Sequence, residues 1–290
     1  MEDTKNKINV YKLLSANDLV RNQRNIESVL LSGLVQGHEY VFEVSPISGW
    51  LYFENTHLIF KQNKPKLPAS EEEIKQIIAK YWAQVYKKQA VRAKMNKSTF
   101  DFPFLLPQNY ELSDIQVVFN PQTLETDHLL CRLSIALTDS VQNKPLPILG
   151  SGIDLRIGHN GQIIGFLVRW RPLLGAILTP LLPYKPAKHQ HAAADENKEA
   201  ESEPVLVFEL CGENSIQTHL CPYYFIPLGH HSGLLPASMA SFVIVFSVEN
   251  NEQNTVVSVH INGGSGDFTY EWSYLKVELS DVKDVVSAGR

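Results

Sequence analysis

Residues 187–204 read AKHQHAAADENKEAESEP and contain no large apolar side chain. A stretch with nothing to bury cannot offset the entropy of ordering itself, so it breaks whatever the chain folds into. Strand-like runs lie on both sides of it. We therefore place a flexible acidic linker at 184–204, with His189 and His191 as solvated side chains. The other arrangement open to such a tract is a long insertion within one interlocked β-structure. The apolar segment Leu173 to Leu182 would then be a contact between the two parts.

At 290 residues the chain is long for one compact core, which favours two domains. An apolar share of 44% and a charged share of 20% exclude global disorder, collagen and coiled coil. The net charge of −5 argues against non-specific nucleic-acid binding, which needs clustered cations. Lys87, Lys88, Arg92, Lys94 and Lys97 form one basic patch, which reads as the solvated end of a helix. No stretch approaches the ~20 apolar residues of a membrane span. The nearest, Pro172 to Pro183, carries Gly175 and Pro180 and reads as a buried or interfacial segment. The opening MEDTKN has no apolar core, so no signal peptide is read there, leaving an intracellular protein or the mature form of an exported one.

Residues 1–35 are weakly patterned and are taken as an N-terminal extension, with short helices or a loose strand at 9–20 and 25–35. Tyr40 to Val44 and Trp50 to Phe53, joined through Pro46 and Gly49, predict a hairpin, with a further strand at His57 to Phe60. Ser70 followed by Glu71, Glu72 and Glu73 fits a capping box and opens a helix to about Arg92. Ile74, Ile77, Ile78, Tyr81 and Val85 give that helix one apolar stripe, which should pack on a sheet. Strands are expected at 115–119, 129–137, 153–157 and 163–170. Asn160-Gly161 joins the last two as a tight turn, because both central positions need positive φ. Residues 36–183 thus predict an α+β domain, one long helix on an antiparallel sheet. Past Pro204, short strands at 205–210, 223–227, 242–248, 256–261 and 268–279 predict an all-β sandwich over 205–290.

Catalytic signatures do not assemble. Gly150-Ser151-Gly152 precedes a strand rather than forming a strand-to-helix elbow. Gly263-Gly264-Ser265-Gly266 is flanked by strands and lacks the helix N-terminus of a phosphate loop. Cys211, His219, Cys221 and His230 could supply four zinc ligands, but their spacing fits no zinc module, so no metal or other cofactor is expected. Glu43, Glu54, Asp154 and Glu209 lie on strands and are the carboxylates from which a hydrolytic pair would have to come. Cys211 and Cys221 could close a disulfide in an oxidising compartment, whereas Cys131 sits in an apolar run and should pack as a small hydrophobe. Of the aromatic residues Trp50, Tyr52, Trp170, Tyr223, Tyr224, Tyr270 and Trp272, most suit a core. Tyr223 and Tyr224, with His230 and His231 in the loop toward Pro236, are the candidate ligand-binding group.

Two stretches resemble known families. Val257 to Ser273, with Gly263, Gly264, Tyr270 and Trp272, resembles the strand, Gly-Gly and aromatic hairpin of PKD-like immunoglobulin modules. Cys131 to Trp170, with Pro147-Ile148-Leu149-Gly150 and Asn160-Gly161, resembles the sheet of PepSY- and FTP-like domains, which accompany secreted metallopeptidases as pro-regions and also occur alone. The preceding helix fits that family's order of elements. No His-Glu-x-x-His and no peptidase domain follow.

These resemblances imply a non-catalytic, secreted or cell-surface binding protein of bacterial type, whose ligand is a protein or a carbohydrate. An inhibitor, chaperone or pro-region-like partner of a secreted peptidase is a second reading. A third is an intracellular structural or assembly component.

Overall fold

The computed structural model of the chain describes residues 6–34, 39–55, 67–95, 105–184, 203–228, 231–238, 243–250 and 255–262. The protein is predominantly β, with one large, mostly antiparallel sheet and a few helices. Among the described residues no helix is long and apolar enough to cross a membrane.

Strand β1 (Lys7–Leu13) is followed by two short helices, α1 (Ala16–Arg21) and α2 (Gln23–Leu30). The hairpin β2 (Val41–Val44) and β3 (Leu51–Glu54) precedes the long helix α3 (Glu71–Met95). Then come β4 (Tyr110–Phe119), β5 (Thr126–Asp139), β6 (Lys144–Leu149), β7 (Gly152–Ile157), β8 (Ile163–Arg169) and β9 (Leu173–Pro180). After the acidic tract lie β10 (Val205–Glu209), β11 (Ser215–Ile216), β12 (His219–Leu228), β13 (His231–Pro236), β14 (Val243–Asn250) and β15 (Thr255–Asn262).

Helix α3 begins where its capping box requires. Ser70 Oγ accepts from the Glu73 amide at 3.2 Å, and the Glu73 carboxylate accepts from the Ala69 amide at 3.0 Å. Ile74, Ile78, Tyr81 and Val85 are buried as the stripe predicts, and Trp82 joins them. Tyr81 packs near Phe166 of β8, and the Trp82 ring lies 4.6 Å from Tyr110 of β4. This face therefore covers one side of the array β2-β3-β8-β7-β5-β4. The turn at Asn160-Gly161 has the two positive φ values expected of it, 60° and 67°.

The fourteen-residue β5 serves two partners along one edge. Leu129–Leu133 pair with β7, and Ala136–Asp139 pair with β6. From β6 the sheet continues through a parallel pairing with β10, Ile148 opposite Phe208, and then through β12 and β1 to β9. Strands on both sides of residues 184–204 are thus hydrogen-bonded into one sheet. One hydrophobic cluster likewise includes Phe53 and Trp82 together with Phe208 and Leu220. Of the C-terminal strands, β10 and β12 belong to the large sheet, while β14 pairs with β11 and β15 in a separate three-stranded one. The strands expected at 57–60 and 268–279 lie outside the described residues.

Within the segment read as an N-terminal extension, the described residues 6–34 join the sheet and the core. Residues 7–13 form a strand between β9 and β12, and α1 and α2 pack into the core through Leu19, Ile26 and Leu30. The buried Asp139 fixes β1 against the β5–β6 turn. Its carboxylate accepts from the Asn9 amide, the Tyr11 hydroxyl and the amides of Val141 and Gln142, at 2.9–3.3 Å. Burial and the nearby Asp139 charge push the Tyr11 phenol up to about 12.

Arg171, 3% exposed, lies between β8 and β9. Its guanidinium donates to the carbonyls of Leu14 and Gln217. The Gln217 side chain then donates to the carbonyls of Glu209 and His219 and accepts from the Cys211 amide, at 2.8–2.9 Å. A planar fork reaches two carbonyls at once and an ammonium does not. Arg171→Lys is therefore expected to cost about 2–3 kcal/mol, read as a lower urea midpoint with an unchanged slope.

Gly150, at the β6–β7 junction, has φ of 74°, and a Cβ there would lie 2.0 Å from the Leu210 carbonyl oxygen. Gly150→Ala should separate β6 from β10 and destabilise the protein by roughly 3 kcal/mol or more. Gly175→Ala, where no atom lies within 4 Å of the added carbon, is the matched control and should leave the melting curve nearly unchanged.

Candidate functional site

A shallow depression of about 420 Å³ lies where α2, the β2–β3 hairpin and the turn after β10 approach one another. Trp50, Tyr52 and Leu167 supply its apolar surface, and Gln23, Glu43 and Glu213 its polar groups. Among the described residues its lining holds two carboxylates and no basic residue.

Local structure fixes each wall. The Ser45 amide donates to the Trp50 carbonyl at 2.8 Å, and the Gly49 amide to the Ser45 carbonyl at 2.9 Å. Ser48 Oγ accepts from the Trp50 amide at 3.3 Å. Gly49 has φ of 73°, and a Cβ there would meet Leu19 at 2.9 Å and the Arg171 stem at 3.3 Å. The turn carrying Trp50 therefore rests directly on α1 and Arg171. Gln23 at the start of α2 donates to the Phe42 carbonyl at 3.0 Å, tying that helix to β2.

The depression opens onto the sheet face opposite α3. Because strand side chains alternate, Phe42, Leu51 and Phe53 point to the core, and Glu43, Tyr52 and Glu54 point out. Strand register places Tyr52 beside Leu167, Leu167 beside Asp154, Asp154 beside Arg132 and Arg132 beside Asp114. Ion pairs run across this face. Arg169 holds Asp154 through two bonds of 2.8 and 3.0 Å, and Arg156 reaches Glu54 at 2.5 Å. Arg156 crosses β8 over Gly165, where a Cβ would lie 3.2 Å from its Cδ. The Tyr52 hydroxyl also donates to Glu54, and burial followed by that bond raises its pKa.

The four carboxylates considered for hydrolytic chemistry have separate surroundings. Glu54 and Asp154 are each neutralised by their own arginine. Glu209 is half-buried, with its pKa raised by burial, and Glu43 lines the depression. Of the four zinc candidates Cys211, His219, Cys221 and His230, the first three do not form a ligand group with one another among the described residues. His219 Nδ1 lies 3.0 Å from Thr218 Oγ1, His230 falls outside the described residues, and no group of three potential ligands gathers among the described residues.

The four residues of the candidate ligand group, Tyr223, Tyr224, His230 and His231, have different surroundings. Alternation along β12 turns Tyr223 inward, where it packs with Val10, Val207 and Cys221. The Tyr224 hydroxyl donates to the Leu182 carbonyl at 2.7 Å, and its ring stands edge-on to Tyr184. His231 sits on β13 opposite Leu228. Trp170 is buried, while Tyr270 and Trp272 lie outside the described residues. Gln23 and Glu213 were not singled out by sequence, because nothing in their spacing relates them to Trp50. The alternation Trp50-x-Tyr52-x-Glu54, paired to Glu43, was the available signal.

None of Cys131, Cys211 and Cys221 is disulfide-bonded, so the bridge between the latter two is not formed in this structure. Burial is the main cause that pushes the Cys131 thiol up to about 11 and the other two up to about 12. Below the unfolded thiol pKa of ~8.5 the folded state keeps the full benefit of burying neutral thiols. That benefit is lost as pH rises from there through 11–12. Iodoacetamide at pH 8 is expected to leave the native thiols unmodified and to label all three in 8 M urea, read by intact mass. Rapid labelling of any one in the native protein would contradict its assigned environment.

No protein-family profile, curated protein or solved structure matches the chain.

Proposed function

We propose that the chain is a non-catalytic binding protein of secreted or cell-surface type, which takes a cationic side chain of a partner protein in the depression beside Trp50. The observation that carries this reading is the lining, with Trp50 and Tyr52 next to Glu43 and Glu213 and no basic residue among the described ones. A guanidinium or ammonium over an aromatic face gains about 0.5–2 kcal/mol. Two carboxylates add charge-assisted hydrogen bonds, and the chain's charge of −5 favours the approach of a basic partner. Export rests on the PepSY-like resemblance over 36–183 and the PKD-like one over 205–285. The order of one long helix followed by antiparallel strands supports the first, and the antiparallel β14–β15 pair, outside the large sheet, supports the second.

Calorimetric titration with arginine-containing peptides, their citrulline counterparts and neutral oligosaccharides tests this reading. The arginine peptides should bind best and weaken at least tenfold between 0.05 and 0.5 M salt. They should weaken similarly in the double variant Glu43→Gln, Glu213→Gln. Salt-independent sugar binding that survives in that variant would overturn the cationic assignment. Turnover of a peptide or glycoside panel would overturn the non-catalytic one.

A further inference from the structure

Among the described residues, strand β9 ends the large sheet and pairs in register only with β1. Five consecutive residues, Leu174 to Leu178, are exposed, with Leu174 at 46%, Ile177 at 58% and Leu178 at 50%. From Pro172 to Tyr184 the chain has no charged residue. The other edges of the sheet's helix-covered half carry protection. Strand β2 is only four residues long and bears Glu43. Strand β4 bears Glu111 and Asp114 and is broken by register shifts at Leu112/Asp114 and Val118/Phe119. Long, uncharged, apolar edges are the ones that recruit another strand.

We infer that β9 pairs antiparallel with β9 of a second copy of this chain, about a two-fold axis at Ala176. The sequence of the strand is self-complementary about that residue. Leu174 falls opposite Leu178 of the second copy on one face, and Ile177 falls opposite Gly175 on the other. No atom lies within 4 Å of where a Gly175 Cβ would be, so there is room for the isoleucine. Pro172 and Pro180 are equidistant from Ala176 and meet at the two ends of the ladder, where neither can supply an N–H. Beyond Pro180 the edge is already taken, because Leu181 pairs with Ser238 and the Leu182 amide donates to the Ala237 carbonyl at 2.9 Å. Thr179 is buried and its hydroxyl lies 2.6 Å from that of Ser238, so among the described residues the exposed window is Leu174 to Leu178, which is symmetric about the same axis.

Charge selects the same partner. Two copies at −5 each repel, and this uncharged edge is where they approach with least penalty. A five-residue strand pair lies below the ~1,200 Å² of a standard interface, so the dimer should be concentration-dependent, with a Kd of order 10 μM. The contact does not use the depression beside Trp50, and its test is independent of the binding reading above.

Sedimentation velocity of the full chain from 1 to 200 μM should show a monomer passing to a dimer. Ile177→Lys, at an exposed position, should remain monomeric throughout with an unchanged circular dichroism spectrum. Val117→Lys on β4 should dimerise like the parent. Directly opposed residues of an antiparallel pair lie at disulfide-compatible Cα separations. Ala176→Cys should therefore cross-link two chains under mild oxidation, whereas Leu124→Cys at the β4–β5 turn should not. A parent chain that stays monomeric to 200 μM would overturn the inference. So would a dimer unaffected by Ile177→Lys, or one that fails to cross-link through Ala176→Cys.

Discussion

The fold turns on one buried cation. Arg171 is held by main-chain carbonyls, and among the described residues no carboxylate pairs with it. Burial lowers its pKa to about 10, so at neutral pH the charge persists and must be stabilised by oriented dipoles alone. The carbonyls of Leu14 and Gln217 supply them, and both lie at strand ends that would otherwise leave an acceptor unpaired. Gln217 extends the arrangement by bridging Glu209, His219 and Cys211. The ends of β1, β8, β10 and β12 therefore converge on one guanidinium and one amide. Apolar packing could fill this space, but it would leave the carbonyls desolvated and unsatisfied.

This junction also explains how chain segments far apart in sequence share a sheet. Strand β1 pairs Lys7 with Pro180 and Tyr11 with Leu220. Such pairings close loops of well over 150 residues, whose entropy must be met before the contacts form. Until β1 docks, both β9 and β12 have an open edge there. Asp139 and Arg171 grip β1 from opposite ends, through Asn9 and Tyr11 at one and Leu14 at the other. Polar anchors of fixed geometry set its register more sharply than Ile8 and Val10 could alone.

What was legible in the sequence is what depends on local chemistry. The capping box at Ser70, the stripe from Ile74 to Val85, the hairpin around Pro46 and Gly49, and the paired positive φ at Asn160-Gly161 each arise within a few residues. Strand β1 was illegible because its burial does not alternate. Asn9 is as buried as Ile8 and Val10, and its polarity is answered by Asp139 and Ser140, over 100 residues away. The strand at 223–227 was legible as well, but the face of Tyr223 was not, because its inward direction is set by pairing with Val207, outside its own segment. The composition of 184–204 says nothing about which strands pair on either side of it, and those pairings join β10 to β6 and to β12.

The depression inherits its shape from the same junction. Trp50 is positioned by a turn whose Gly49 lies against the stem of Arg171. Glu213 follows Cys211, whose amide is held by Gln217, and Gln217 in turn accepts from Arg171 through its carbonyl. The aromatic wall and one acidic wall are thus set by opposite ends of a single arginine, although neither touches its charge. Glu43 is placed separately, by its pairing with Tyr52 across the hairpin. A ligand that draws Trp50 and Glu213 together would load the turn at Gly49 and the Gln217 bridge at once. The rigidity of the Arg171 contacts, rather than the depth of the cleft, would then determine how selectively it is held.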